Sequence, residues 1–539
     1  MSDFPPEGGR AHLFLVFVVL FLISSCVKVG PNYARPETKV EPTWQEADDR
    51  RVQGAPTDCR SWWRCFNDPT LDRLVGLAYQ ENLPLKVAGV RVLEAWAQLG
   101  VATGQLYPQT QQLTGSVLRE HESAGTPILG TGVASPRFGG LLYWQSQLGI
   151  TASWEIDFWG KFRRAIESAD ASVQASIADY DNTLVSLSAN VANFYIAIRT
   201  LEKRLAIARE NVETQKESLK IAQARFEGGT TSQRDVEQAK AQLSSTQATV
   251  PVLLTQLRQA QDALSVLLGM TPTRQVEQLV RHPGTIPSPP PQIVVGIPAD
   301  LLRRRPDIRA AEYNAVAQSA QIGVARAQLF PAFSLTGTFG PYSTDVGKNT
   351  LADMFKWANR QGYVGPAVQW DIFNYGRLRN LVRVQDARFQ ELLITYQNAV
   401  LSAQQDVEDN LTAYLRTQEQ AKFLADSADA ALNSLNLAVI QYREGITDFT
   451  TVLTAQQALL VSQDNLATTL GNISNSLVGV YRALGGGWEI REGRDFVDAA
   501  TREEMRRRTN WGKLLTPPSG PPPTPEEEQQ KSLVRPPVW

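Results

Sequence analysis

Side chains that could bind a metal ion or act as a nucleophile are rare in this sequence. Its 539 residues include three cysteines, three histidines and four methionines. A His/Cys metal centre has little material here, and a thioether pathway for Cu(I) has equally little. Only His121 and His282 lie beyond the N-terminal leader, and no hydrolase motif accompanies them. We therefore expect neither an enzyme nor a cofactor. The 53 basic and 55 acidic residues nearly balance, which argues against a nucleic-acid partner.

Cys26 is the cysteine in the most informative context. It follows an apolar run at 13–23 that is too short to span a bilayer but fits a secretory signal. Ile23-Ser24-Ser25-Cys26 resembles the lipobox of bacterial lipoproteins, in which the signal is cleaved before the cysteine and the thiol is acylated. We expect Cys26 to be lipidated. The residue after it is Val27 rather than Asp, which by resemblance to bacterial lipoproteins favours the outer membrane. An ordinary signal peptide and an N-terminal helix that ends in cysteine are the alternatives.

Cys59 and Cys65 flank the pair Trp62-Trp63. Export would place them in an oxidising compartment, where a disulfide that closes a short loop is chemically permitted. Two separate buried thiols beside the tryptophans are the alternative. The sequence does not choose between them.

The chain contains a long internal duplication. Residues 154–161 match residues 370–377 at an offset of 216, and residues 98–108 match residues 321–331 at an offset of 223. Both matches hold register over many positions, which chance would not do. We infer that the protein consists of two tandem repeats.

Each repeat contains a long stretch without glycine or proline, at 161–227 and at 377–444. Apolar residues recur there at steps of three and four, which predicts coiled-coil-like helices roughly 100 Å long. Each helix ends at glycine, and a returning helix follows at about 232–268 and 448–484.

Two segments of alternating apolar and polar residues precede each long helix. They lie at 109–119 and 148–154 in the first repeat, and at 333–339 and 363–370 in the second. This pattern is typical of outer-membrane strands, and a soluble hairpin packed on the helices is the alternative. Sheet edges cannot face lipid, and four strands are fewer than the eight of the smallest single-chain barrels. Three copies of the chain would give twelve strands around a central pore.

These features together resemble the TolC/OprM-type outer-membrane efflux proteins, in particular the lipidated NodT-like branch. The resemblance rests on Val29-Gly30-Pro31-Asn32-Tyr33, on residues 301–312 at the start of the second repeat and on residues 483–488 at its end. It implies an α+β membrane protein. Its homotrimer would form a 12-strand outer-membrane β-barrel, with four strands per chain, continued by a long α-helical periplasmic tunnel.

The resemblance also implies a function. The protein would conduct substrates passively through the outer membrane after an inner-membrane RND-type transporter and a periplasmic adaptor (membrane fusion) protein deliver them. The outer-membrane duct of a type I protein secretion system is the alternative. A lipid-anchored periplasmic coiled-coil scaffold is a further alternative, although it would need no strands.

The expected organisation follows from these features. We expect a lipoprotein signal peptide (1–25), a lipidated extended segment (26–70), the first repeat (71–270), a Pro-rich linker (271–300), the second repeat (301–488), an equatorial segment (489–515) and a disordered Pro-rich tail (516–539).

Members of the family commonly carry two aspartates in the second returning helix, where threefold symmetry makes an acidic constriction. Both positions are threonine here, Thr451 and Thr454. Asp448, about one turn nearer the tip, is a candidate for a displaced ring, and a helix cap is its alternative role. Asp235 is the first-repeat equivalent of Thr451 and is a further constriction candidate.

The tips of the helical hairpins are the expected adaptor contacts. The candidate residues are Gly228, Gly229, Thr231, Gly445 and Thr447. Turn geometry alone would also explain the glycines.

Overall fold

The computed structural model describes residues 28–55, 59–122, 141–273, 275–280, 285–296, 298, 304–348 and 350–516. The predicted signal peptide, the lipidation site Cys26 and residues 517–539 of the predicted tail lie outside this part of the chain.

The chain begins with an extended segment, the short strand β1 (Val52–Gln53) and helix α1 (Pro69–Glu81). Two repeats with the same order of elements follow, each with a short helix, two strands, a long helix and a returning helix. The first consists of α2 (Leu83–Gly104), β2 (Thr110–Glu122), β3 (Leu141–Ile156), α3 (Lys161–Glu227) and α4 (Gln233–Leu267).

The connection between the repeats contains α5 (Gln275–Leu279) and β4 (Ile293–Val294), which pairs in parallel with β1. The second repeat consists of α6 (Pro306–Ala327), β5 (Ala332–Thr344), β6 (Arg360–Gln369), α7 (Arg377–Arg443) and α8 (Phe449–Ala483). Helix α9 (Ala499–Arg508) follows, within the segment 489–515.

The long helices form where the sequence lacks helix breakers. Both α3 and α7 have 67 residues, which corresponds to roughly 100 Å. Gly160 and Gly376 precede them with φ angles of 77° and 83°, a left-handed backbone that suits glycine. The helices agree with the predicted limits to within one residue at each end. Helix α4 continues through Pro251.

The four long strands form one antiparallel sheet in the order β2-β3-β5-β6. Within the described part of the chain, β2 pairs only with β3 and β6 only with β5. The sheet therefore has two open edges, one from each repeat.

Helix α3 lies at the centre of the helical part. It packs against α1, α2, α4, α6 and α8, whereas α7 packs mainly against α6 and α8. Most of the predicted heptad positions of α3 are buried, including Tyr180, Leu184, Val191 and Ile198. The largest apolar core surrounds the middle of these helices.

Candidate functional site: the strand wall, the waist and the hairpin tips

One face of the sheet is apolar and exposed. Leu113, Ile150 and Phe339 lie opposite one another in register across three strands, and all three are exposed. The same face carries further exposed apolar side chains, namely Val117, Leu148, Ile156, Leu335, Val364 and Val368. Because this face does not pack on the helices, the soluble-hairpin alternative is wrong. An exposed apolar face of this kind fits a hydrocarbon surrounding.

The opposite face of the sheet is polar. Gln112, Thr151 and Thr338 lie on it in register. Alternation with a period of two therefore produces a sheet with an apolar side and a polar side. Such a wall separates lipid from an aqueous lumen.

Both repeats have the same hydrogen bond where the chain passes between the sheet and the helices. The indole Nε1 of Trp154 donates to the carbonyl of Leu106 at 3.1 Å, and that of Trp370 donates to the carbonyl of Leu329 at 3.1 Å. These four residues are equivalent under the duplication. The junction between sheet and helices is therefore built in the same way twice.

The helical hairpins turn at the predicted glycines. Gly229 and Gly445 have φ angles of 70° and 76°, and no side chain or backbone crowds Gly229. Thr231 donates its hydroxyl to the carboxylate of Asp235, and the hydroxyl of Thr447 contacts that of Thr451 at 3.0 Å. Gly228 lies in the same exposed turn. Both tips are thus short turns whose threonines are held by local hydrogen bonds.

Asp448 is the N-cap of α8. Its carboxylate accepts hydrogen bonds from the backbone N–H of Thr451 at 3.1 Å and from the hydroxyl of Thr451 at 3.0 Å. The side chains of Asp448, Thr451 and Thr454 are exposed. The capping role is therefore present, and it leaves the carboxylate in contact with solvent.

Asp235, the constriction candidate of the first repeat, lies in a different environment from its equivalent Thr451. Its side chain is buried, where it accepts hydrogen bonds from the hydroxyls of Thr231 and Ser232. It belongs to the packing between the hairpins, beside Tyr442. The enclosed position of this carboxylate within one protomer favours a packing role for Asp235 over pore lining.

Arg225 and Tyr442 connect the two hairpins, and sequence reasoning missed them. The guanidinium of Arg225 lies 4.6 Å from the centroid of the Tyr442 ring and donates to the backbone carbonyl of Tyr442. Phe449 packs against the same ring at 5.2 Å. The contact joins residues from different repeats, and position 441, the equivalent of Arg225, is Gln441. The duplication therefore gave no signal for it.

Asp181, in the first third of α3, joins the helices to the C-terminal segment at a level that we call the waist. Its carboxylate on α3 is fully buried and pairs with Arg491 at 3.0 Å and with Arg309 at 3.5 Å. Both guanidinium groups also lie near the ring of Trp488, that of Arg309 at 5.4 Å and that of Arg491 at 5.5 Å from its centroid. Because Arg491 belongs to the C-terminal segment, this cluster attaches that segment to both repeats.

The motif that follows the lipobox is clamped where α3 begins. The buried guanidinium of Arg164 donates to the carbonyls of Val29 and Gly30 at 3.2 Å. Gly30 has a φ of 100° and touches Gly323 of α6 so closely that a Cβ would lie 2.5 Å from its Cα. The N-terminal segment thus passes between α3 and α6 directly below the sheet.

The structure contains no bond between Cys59 and Cys65, which favours the alternative of two separate thiols. Cys65 belongs to the short 3₁₀ helix Trp62–Phe66, near the rings of Tyr414 and Tyr481. Cys59 lies against Gly486. Burial raises the pKa of the Cys65 thiol to about 12, which keeps it protonated.

The geometry defines a class of protein. A sheet with one apolar exposed face and one polar face, open at both edges and continued by paired helices of roughly 100 Å, is part of a channel. The channel crosses an outer membrane and extends from it as a helical tube.

Comparison with known proteins identifies the family. The model of the outer membrane efflux protein family matches residues 74–270 and 297–486. The chain is 32% identical over 485 residues to the pyoverdine export outer membrane protein OpmQ of Pseudomonas putida, which covers 89% of this chain and 98% of that protein. It is 31% identical to nodulation protein T of Rhizobium leguminosarum bv. viciae, over 87% of this chain and 92% of that protein. The chain belongs to the outer membrane efflux protein family.

A solved structure has the same fold. The outer-membrane channel OprN matches with a TM-score of 0.79 and 31% identity, over 86% of this chain and all of that one. The fold is that of the trimeric outer-membrane efflux channels, a β-barrel continued by a helical tunnel and built from two repeats. The family, the fold class, the outer-membrane location and the efflux function predicted from the sequence are confirmed. OpmQ is named for export and OprN as a channel, and neither name describes catalysis.

Proposed function

We propose that three copies of this protein form a passive conduit that receives substrates from an inner-membrane RND-type transporter through a periplasmic adaptor protein. One observation carries the proposal. The amphipathic sheet has open edges and is continued, without an intervening domain, by helices long enough to extend deep into the periplasm. No catalytic step belongs to the proposal.

Closure of the barrel requires copies of the chain. The backbone groups at the free edges of β2 and β6 cannot stay unpaired in hydrocarbon, because each unsatisfied group costs several kcal/mol. Pairing β6 of one copy with β2 of the next satisfies both edges. Three copies of the four-strand sheet then form a twelve-strand barrel with the polar face inside.

The hairpin tips supply the gate. Arg225 and Tyr442 hold the two hairpins of one protomer together, so the periplasmic end stays narrow while this contact is intact. Asp448, Thr451 and Thr454 are exposed beside it. Repeated by threefold symmetry, the Asp448 carboxylates would form an acidic ring that favours cations.

The same tips are the proposed adaptor surface. Gly228, Gly229 and Gly445 keep the turns free of side chains, and Thr231 and Thr447 flank them. Ile446 is exposed at the second tip, where it offers an apolar contact. An adaptor hairpin can therefore approach the backbone closely.

The lipid anchor completes the arrangement. The clamp around Val29 and Gly30 holds the chain directly after Cys26 at the beginning of α3, next to the sheet. Acyl chains on Cys26 would therefore enter the periplasmic leaflet beside the barrel. The acyl chains and the barrel would therefore fix the channel at the same depth in the membrane.

Cross-linking in native cells tests the assembly. Purification of the tagged full chain after formaldehyde treatment should recover a periplasmic adaptor and an RND-type transporter. Thr447→Trp at the tip should reduce this recovery, whereas Glu504→Trp, on the exposed side of α9, should not. Recovery of an ABC exporter would overturn the RND assignment. Equal recovery from both variants would overturn the tip as the adaptor surface.

A further inference from the structure

We propose that Tyr375 of one copy stacks on Tyr107 of the neighbouring copy and thereby repeats, between chains, the aromatic contact that joins the two repeats within a chain. The inference rests on the proposed assembly and names the residues of its interface just below the barrel.

The contact within one chain involves Trp159 and Phe330. Their ring centroids are 4.5 Å apart with an interplanar angle of 23°, and Trp159 Nε1 donates to the carbonyl of Pro331 at 2.8 Å. Trp159 lies in the short connection between β3 and α3, and Phe330 and Pro331 lie between α6 and β5. The contact therefore fastens the long helix of the first repeat to the strand entrance of the second.

The duplication supplies both partners again. Tyr375 occupies the position of Trp159, and Tyr107-Pro108 occupies the position of Phe330-Pro331. The surroundings of Trp159 and Tyr375 are also repeated. An ion pair between Lys161 and Glu155 has its equivalent between Arg377 and Asp371, at 2.9 Å and 3.5 Å.

Strand order determines where the second contact forms. Within the chain, β3 is paired with β5, and this pairing brings Trp159 to Phe330. Under the duplication, β6 is the equivalent of β3, and β2 is the equivalent of β5. The sheet order β2-β3-β5-β6 places β6 and β2 at opposite edges, so β6 can meet β2 only in another copy. Tyr375 therefore meets Tyr107 of that copy.

Tyr375 has the properties of a residue without its partner. Its side chain is fully exposed, and Phe373 beside it is nearly so. Its φ angle of 48° lies in the left-handed region, which is unfavourable for a residue with a large side chain. Trp159 does not have a positive φ. Adopting the conformation of Trp159 on assembly would remove the strain and bury the ring.

Site-specific photo-cross-linking tests the contact in the full chain in native membranes. We replace Tyr375 with the photoreactive residue p-benzoylphenylalanine and, as the matched control, make the same replacement at Trp159. Irradiation should convert the Tyr375 variant to a species of twofold mass or more, with the adduct in the peptide that contains Tyr107. The Trp159 variant should cross-link within one chain, to the peptide that contains Phe330.

The proposal and the assembly fail in different ways. A heat-labile species of threefold mass in which the Tyr375 adduct maps elsewhere, or only within its own chain, would overturn the inference and leave the channel intact. Absence of the threefold species from the unsubstituted protein would contradict both. If the Tyr375 replacement itself prevents assembly, the reciprocal replacement at Tyr107 must yield an adduct at the peptide that contains Tyr375. An adduct elsewhere in that variant also overturns the inference.

Discussion

The two long helices have the same length and related sequences, yet α3 buries 29 of its residues and α7 buries 13. Composition alone does not explain the difference, since α7 keeps apolar residues at many of the matching positions, although Ala189 and Ala192 correspond to Gln405 and Glu408. Val185 of α3 is 3% exposed, and its equivalent Leu401 in α7 is 59% exposed. Ile207 is 6% exposed, and its equivalent Phe423 is 71% exposed.

This difference in burial follows from the helices that one chain supplies to cover α3 and α7. Helix α3 is covered by α6 and α8 of the second repeat. Their first-repeat equivalents, α2 and α4, pack against α3 and do not cover α7 within the same chain. Apolar side chains at Leu401 and Phe423 are therefore the exposed counterparts of a buried seam, and a neighbouring copy would cover them.

A charge in the covered helix should have the largest effect. In Val185→Asp a carboxylate enters a site enclosed within the protomer, which costs about 3–5 kcal/mol when no partner is present. We expect little folded protein in the outer membrane and a large fall in thermal stability by circular dichroism. Native levels of a stable protein would show that α3 is not enclosed.

The matched change in the other helix should affect assembly rather than folding. In Leu401→Asp the carboxylate is solvated in the protomer and becomes buried only between copies, at a cost of several kcal/mol at each contact. Helical content should therefore stay near that of the unsubstituted protein, while the species of threefold mass is lost from native gels. If Leu401→Asp assembles normally, the exposed side of α7 is not an interface.

The tips allow a smaller comparison between the repeats. Asp448→Asn keeps a helix cap, since asparagine caps as well as aspartate, and should change stability by less than about 0.5 kcal/mol. In single-channel recordings it should lower the preference for cations. Asp235→Asn, in the buried first-repeat carboxylate, should leave ion preference unchanged. An unchanged preference in Asp448→Asn would eliminate the displaced acidic ring.

The smallest effect should be found at the waist, where α7 is buried within its own chain near Cys65. The pKa of this thiol is raised from about 9 to about 12 by burial. A raised pKa contributes stability below pH 9 that is lost as the pH rises from 9 towards 12, because the unfolded chain loses the proton first. At pH 8 maleimide should therefore label Cys65 slowly in the folded protein and rapidly after unfolding. Rapid labelling of the folded protein, or a disulfide-linked peptide, would contradict the assignment of a buried thiol.

The helices could be predicted almost completely from the sequence, and the strands less well. Absence of glycine and proline, together with the duplication, placed α3 and α7 within one residue. The prediction of β3 began at residue 148, whereas the strand begins at Leu141, because Leu141-Leu142-Tyr143-Trp144 interrupts the alternation. The residue at which such a strand begins depends on its pairing with β2 and β5, and the local sequence does not indicate this pairing.

The candidate site was only partly predictable, since several of its contacts join residues far apart in the chain. Asp448 was identified as a cap or a pore residue from its place after Gly445, and its cap is present. Burial of Asp235 and the contact between Arg225 and Tyr442 depend on how one hairpin lies against the other. Asp235 and Arg225 align with Thr451 and Gln441 of the other repeat, and these different residue types did not indicate the packing.

Three copies of the chain should close one barrel and conduct ions. The most direct measurement is the single-channel conductance of the purified species of threefold mass in a planar bilayer, with the heat-dissociated protomer from the same preparation as the control. Discrete conductance steps are expected from the threefold species and none from the protomer. A monomer as the sole species in detergent, or a threefold species without conductance, would contradict this expectation.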